Sequence, residues 1–95
     1  NLMLTLDSLL RIPLYVTTSF VDDDAVLLNT RTNQYFAMQA VSSRLWQLLK
    51  DGKGLREACQ VLQSEYVAES ADVEQDVLDL VRELMENGLV ELAEG

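Results

Sequence analysis

The sequence predicts an α+β domain in which a three-stranded antiparallel sheet is followed by three helices. Three observations carry that prediction. Up to residue 38, runs of β-branched and aromatic residues alternate with polar turns. After Met38 the apolar spacing changes from two to about 3.6, the helical period. The chain has 95 residues, 48% of them hydrophobic and 24% charged, which is enough for one hydrophobic core and too little for two.

The elements follow in order. Leu14 to Phe20 and Ala25 to Asn29 are strand-like in composition, and the acidic run Asp22-Asp23-Asp24 between them supplies a turn. The polar stretch Thr30-Arg31-Thr32-Asn33 then leads to Gln34-Tyr35-Phe36-Ala37-Met38, completing a three-strand meander. Ahead of it, residues 1–13 form an N-terminal arm or a short extra strand around Leu2 to Leu6, ended by Pro13. Gln39 to Lys50 reads as the first helix, with Val41, Leu45, Leu48 and Leu49 on one face and Gly52 and Gly54 as its stop. The second helix carries the stripe Leu55, Ala58, Cys59, Leu62 and Tyr66, before the polar connection Ala68-Glu69-Ser70. Asp72 or Ser70 is expected to cap the third helix, which ends at Asn87-Gly88, and Leu89 to Leu92 return as a short strand. This order matches a winged helix-turn-helix domain.

Composition narrows the chemistry. A net charge of −9, from 7 basic against 16 acidic residues, disfavours nucleic-acid binding, which draws its affinity from cations neutralising phosphates. The absence of histidine removes the commonest general base and metal ligand, along with Ser-His and Cys-His nucleophile pairs. Cys59 lies between Leu55 and Leu62 on an apolar stripe and reads as core rather than nucleophile. The run Asp22 to Asp24 lacks the glycine and spaced ligands of a calcium loop. The carboxylates Glu74, Asp76, Asp79, Glu83 and Glu86 are spread over a polar helix surface rather than paired. No catalytic site, metal site or cofactor is therefore expected. With no long apolar span, no targeting segment and one cysteine, the expected location is the cytoplasm, away from the membrane.

Two features ask for a partner. At about 100° per residue from Val73, the third helix places Val73, Val77, Leu80 and Leu84 near 0°, 40°, 340° and 20°, with Val81, Met85 and Leu78 near 80°, 120° and 140°. The resulting apolar arc of about 160° exceeds the roughly 100° that packing on a core requires, and Arg82 borders it near 180°. Either the whole arc packs against the sheet and the first helix, or one flank faces something else. The second feature is the strand Gln34 to Met38. As the last strand of a meander it lies at a sheet edge, yet it has none of the charge or proline that usually guards one. Either a helix or the N-terminal arm covers this edge, or it accepts an added strand from a peptide.

The segments Ala25-Val26-Leu27-Leu28-Asn29, Gln34-Tyr35-Phe36-Ala37-Met38 and Ser43-Arg44-Leu45-Trp46-Gln47-Leu48-Leu49 resemble the PqqD-like family in order and spacing. Leu55-Arg56-Glu57, Glu65-Tyr66 and Leu84-Met85-Glu86-Asn87-Gly88-Leu89-Val90 extend the resemblance over residues 14 to 92. Members of that family are recognition elements for the leaders of ribosomally made, post-translationally modified peptides. Within it the chain is more similar to the stand-alone leader-binding subunits of lasso-peptide biosynthesis. The Leu-Leu-Ala-Pro-Glu-Arg signature of the pyrroloquinoline quinone protein is replaced here by Leu27-Leu28-Asn29-Thr30-Arg31-Thr32.

The resemblance implies a non-catalytic protein in which the leader pairs with the third strand and lies against the third helix. Carried over by position, the groove takes Gln34, Tyr35, Phe36 and Ala37 from the strand. The helix projection supplies Val77, Leu78, Val81, Arg82 and Met85 for the other wall. The implied partners are a precursor leader peptide, a separate leader peptidase and a cyclase. Other modified-peptide pathways use similar modules, and a winged-helix DNA-binding or structural module is the alternative class.

Overall fold

A computed structural model describes residues 3–66 and 69–93. Its elements are β1 (Leu10–Arg11), β2 (Val16–Val21), β3 (Asp24–Asn29), β4 (Gln34–Met38), α1 (Val41–Lys50), α2 (Leu55–Glu65), α3 (Ser70–Glu86) and β5 (Glu91–Leu92). The meander predicted from the period-two segment is present, with strand order β2-β3-β4 and antiparallel pairing throughout. Two registered rows, Thr18–Leu27–Phe36 and Phe20–Ala25–Met38, face the helices. Ala25, Leu27 and Met38 are almost completely buried there.

The turns follow from residue chemistry. Asp22 adopts φ 55° in the two-residue β2–β3 turn, and Asn33 adopts φ 60° where the chain enters β4. Short polar side chains tolerate this left-handed region better than most others. Asn29, buried at the end of β3, fastens the second turn: its side-chain oxygen accepts from the Arg31 and Thr32 amides at 3.0 and 3.3 Å. The first helix begins two residues later than its apolar spacing predicts. The chain instead turns at Ala40 with φ 50°, a conformation L-residues rarely adopt.

Trp46 lies at the centre of the core with no exposed surface, and its indole N–H donates to Thr18 Oγ1 at 2.9 Å. That bond ties α1 to the inner face of β2 and satisfies a donor that would be costly to bury unpaired. Leu55, Ala58, Cys59 and Leu62 of α2 join the same core, so Cys59 packs as its spacing predicts. Burial raises the pKa of its thiol, which keeps it protonated and unreactive. Tyr66 ends the stripe outside the core, at the exposed C-cap of α2.

The third helix ends as Asn87-Gly88 predicts. Gly88 takes φ 71°, its amide bonds the Met85 carbonyl at 3.1 Å, and the Leu89 amide bonds the Leu84 carbonyl at 2.9 Å. These are the two bonds of a Schellman motif, with buried Leu84 and Leu89 as its apolar contact. At the other end the expected cap is corrected. Ser70 and Asp72 lie inside the helix, and Glu69 stands at the cap position with no side-chain bond. Ala68 falls outside the described residues.

The N-terminal segment resolves differently from a strand at Leu2 to Leu6. Residues 3–9 are irregular, with Leu4 in the core, and the short strand comes later, at Leu10–Arg11. It pairs with β5 and not with the main sheet, and the Arg11–Glu91 ion pair at 2.6 Å spans that pairing. Leu2 itself lies outside the described residues. A bidentate Arg56–Asp7 contact fixes the arm to α2 and lowers the Asp7 pKa.

Candidate peptide-binding groove

With the arm paired to β5, β4 has β3 as its only strand neighbour among the described residues, so its other edge is open. An open edge presents alternate N–H and C=O groups for another strand. Period-two alternation divides the side chains of β4 between the two faces. Phe36 and Met38 turn inward, Phe36 half-buried and Met38 buried, whereas Tyr35 and Ala37 are exposed on the other face, Tyr35 at 72%.

Two cavities lie beside this edge, and a third adjoins them among the helices. The first is lined by Gln34, Tyr35 and Phe36 with Asn87 and Leu89. The second shares Phe36 and adds Ala37, Met38 and Ser42, with Leu80 and Glu83 of α3 opposite. The third shares Ser42 and Leu80, lies among α1, α3 and the C-terminal end of α2 at Leu62 and Tyr66, and has a volume of about 330 Å³. Its walls include Val41, Leu45, Val73 and Val77, with the exposed Asp76 beside them. Together the cavities form a trough along β4 whose apolar surface widens toward the N-terminal half of α3.

The strand residues expected from sequence, Gln34, Tyr35, Phe36 and Ala37, all line this trough. The expected helix residues lie elsewhere than beside β4. Val77 reaches the trough only in the α1–α3 cavity, and Val81 is fully buried in the core. Leu78 and Met85 are half-buried against the core and line none of the three cavities, while Arg82 pairs with Asp79 at 3.2 Å. The residues of α3 that do face β4 are Leu80 and Glu83, with Asn87 at the helix cap.

On the same projection these three lie near 340°, 280° and 320°, the opposite flank from the one chosen on sequence. The physical reason is packing: Val81 is sealed in the core and Leu78 and Met85 pack against it, whereas Leu80 and Glu83 share a cavity with Phe36, Ala37 and Met38 of β4. Asp76 and Glu83 belong to no ion pair among the described residues, which gives the helix wall an acidic border.

The base of the trough is held by one partly buried polar contact. The Asn29 side-chain amide donates to the Asn87 carbonyl at 3.3 Å, joining the β3–β4 hairpin to the end of α3. A β-carbon on Gly88 would come within 3.2 Å of that same amide nitrogen, so the helix ending and the hairpin are fitted to each other. At the other end Arg44 of α1 makes a multidentate contact with Glu65 of α2, which lowers the Glu65 pKa.

Among the described residues, no group of three His, Cys, Asp or Glu side chains is placed to hold a metal ion. None of their helices is long and apolar enough to cross a membrane.

Fold and trough together define an α+β domain of three helices and a main three-stranded sheet whose last edge opens beside the last helix. A family model described as coenzyme PQQ synthesis protein D (PqqD) matches residues 24–90, and the chain belongs to the PqqD family. Two solved structures are similar over nearly their whole length. One, described as TbiB1 in complex with the TbiA(β) leader peptide, is 35% identical with a TM-score of 0.85, covering 90% of this chain and 99% of that one. Another, described as lasso peptide synthetase B1 complexed with the leader peptide, is 32% identical with a TM-score of 0.80, covering 86% and 96%. No curated protein matches the sequence.

Proposed function

We propose that this chain binds the leader of a ribosomally made precursor peptide in lasso-peptide biosynthesis and presents it to a separate leader peptidase and cyclase, catalysing nothing itself. The observation that carries the reading is the open edge of β4 beside a trough with apolar walls at Phe36, Leu80 and Val77. The likeness to two proteins described as complexes with leader peptides supports it. The leader adds a strand to Gln34–Met38, and its inward side chains enter the cavities in turn. Main-chain bonding then gives affinity and the cavities give selectivity.

The energetics suit a reversible carrier. Two or three apolar anchors at about 1.5–3 kcal/mol each, with edge hydrogen bonds at about 0.5–1.5 kcal/mol each, oppose an ordering cost of about 2–5 kcal/mol. The balance is consistent with binding near −8 kcal/mol, a Kd of about 1 μM.

Charge supports a peptide over a nucleic acid. Arg11, Arg44, Lys53, Arg56 and Arg82 are in ion pairs, and Arg31 and Lys50 lie over the rings of Tyr15 and Phe20. Those are the chain's 7 basic residues, so none forms a free cationic patch.

Amide hydrogen exchange tests the mode of binding. Saturating leader is expected to slow exchange in residues 34–38, and Ala37→Pro, which alters this edge, is expected to weaken binding at least tenfold. Unchanged exchange in β4 together with unchanged affinity in a folded Ala37→Pro protein would rule out strand addition there.

A further inference from the structure

The trough does not end where β4 does. Tyr66 lines both the α1–α3 cavity and a further cavity of about 460 Å³. Val41, Ser42 and Leu45 of α1 face the first, whereas Ser43, Arg44 and Gln47 face the second, on the opposite side of the helix at about 100° per residue. Phe20, Asp22 and Asp23 of the β2–β3 hairpin form the other wall. The hairpin comes to this end of the trough because Ala25, beside its turn, pairs with Met38.

The charges of this cavity are unevenly matched. Asp22 and Asp23 are exposed and join no ion pair among the described residues. Among the lining residues Arg44 is the one cation, and it is held by Glu65 at 2.8 Å and by Gln47. Nearby Lys50 is turned to the Phe20 ring, 5.7 Å from its centre. No cation stands over the Tyr66 ring among the described residues. Unpaired carboxylates beside aromatic faces suit a Lys or Arg side chain, whose stem packs on a ring while its head meets the carboxylate.

The occupant follows from continuity with the trough. Every pairing in the main sheet is antiparallel, and antiparallel pairing is the more stable kind. A leader strand that continues the pattern runs opposite to β4, which puts the residues ahead of its paired stretch at the Met38 end. Resting on the leader-binding reading, we propose that this cavity receives Lys or Arg side chains from the leader residues that precede the paired stretch. The edge and the apolar cavities then hold the leader, while Asp22 and Asp23 select for charge at one end of it.

The test uses the double variant Asp22→Asn/Asp23→Asn, since Asn also tolerates the positive φ at Asp22. Two labelled peptides are titrated by fluorescence anisotropy: the leader of the protein's own precursor, and the same leader with every Lys and Arg ahead of the paired stretch replaced by Gln. Wild type is expected to bind the Gln leader about fivefold more weakly, and the double variant to bind both leaders with that weaker affinity. Raising the salt from about 50 mM to about 1 M is expected to erase the wild-type preference. Tyr66→Leu, outside the core, serves if the hairpin variant does not fold, and is expected to reduce the preference about twofold. Equal wild-type affinity for the two leaders would overturn the proposal. So would a preference that the folded variants retain in full, or a leader with no Lys or Arg in that segment. Failure of the wild-type protein to bind either leader would overturn the leader-binding reading itself, a result distinct from loss of preference.

Discussion

Asn29, at the end of β3, donates its side-chain amide to the main-chain carbonyl of Asn87, at the end of α3, across 3.3 Å. The same side chain accepts two amides of the β3–β4 turn, so one buried residue sets the distance between the strand and the helix end that flank the trough. Asn29→Ala is expected to lower stability by about 1–2 kcal/mol, because it removes three hydrogen bonds made by one buried side chain. Asn29→Asp is expected to give no rescue, since it sets a carboxylate against the Asn87 carbonyl. Urea unfolding checks both, and wild-type midpoints would show that the contact contributes nothing.

A second prediction concerns the inner face of the sheet. Thr18→Val keeps the shape of the side chain but removes the acceptor for the Trp46 indole N–H, which has no exposed surface. Stability is expected to fall by about 1–3 kcal/mol, with the fold retained. Thermal unfolding by circular dichroism measures it.

The Arg44–Glu65 contact predicts a pH dependence. Arg44 lowers the Glu65 pKa from its ordinary 4.5, so the pair stabilises the fold above that value, and the contribution is lost as pH falls through the lower folded value. The stability difference between wild type and Glu65→Gln is therefore expected to be full near neutrality and to shrink below about pH 4.5. Because Asp7 shifts in the same direction, the wild-type curve alone mixes two groups, and the difference between the two proteins isolates one. A difference that stays constant down to pH 3 would contradict the assignment.

The two flanks of α3 make opposite predictions for leader binding. Leu80→Ser removes an apolar wall of two cavities and is expected to weaken leader binding about tenfold, equivalent to about 1.4 kcal/mol. Met85→Ser lies on the flank away from β4 and is expected to lower stability while leaving leader affinity unchanged. Fluorescence anisotropy with both variants decides which flank faces the peptide; the reverse pattern would restore the wall chosen on sequence.

Those flanks also show where the sequence is legible. Period-two and 3.6-residue patterns identify the meander and three helices because alternation and amphipathic stripes are local consequences of burial on one side. The open edge is legible for the same reason: Gln34 to Met38 carries no charge or proline. The side of α3 that faces the sheet is not, since a projection gives the width of an apolar arc but not what packs on each shoulder. The projection groups Leu80 with the core stripe and Val81 with the spare flank, yet Val81 is fully buried and Leu80 is half-buried at the trough. That Glu83 and Asn87 line cavities beside β4 is not legible either, because polar residues in a groove leave no periodic signal. The available hint was the spacing Val73, Asp76, Leu80, Glu83, Asn87, which traces one stripe along the helix. Likewise nothing local at Leu10–Arg11 announces its pairing with Glu91–Leu92, a contact made across nearly the whole chain.

The central claim is tested most directly by titrating the purified protein with the fluorescently labelled leader of its own precursor peptide. The account predicts saturable one-to-one binding with a Kd of about 1 μM or tighter. No binding at tens of micromolar, with the protein folded, would contradict it.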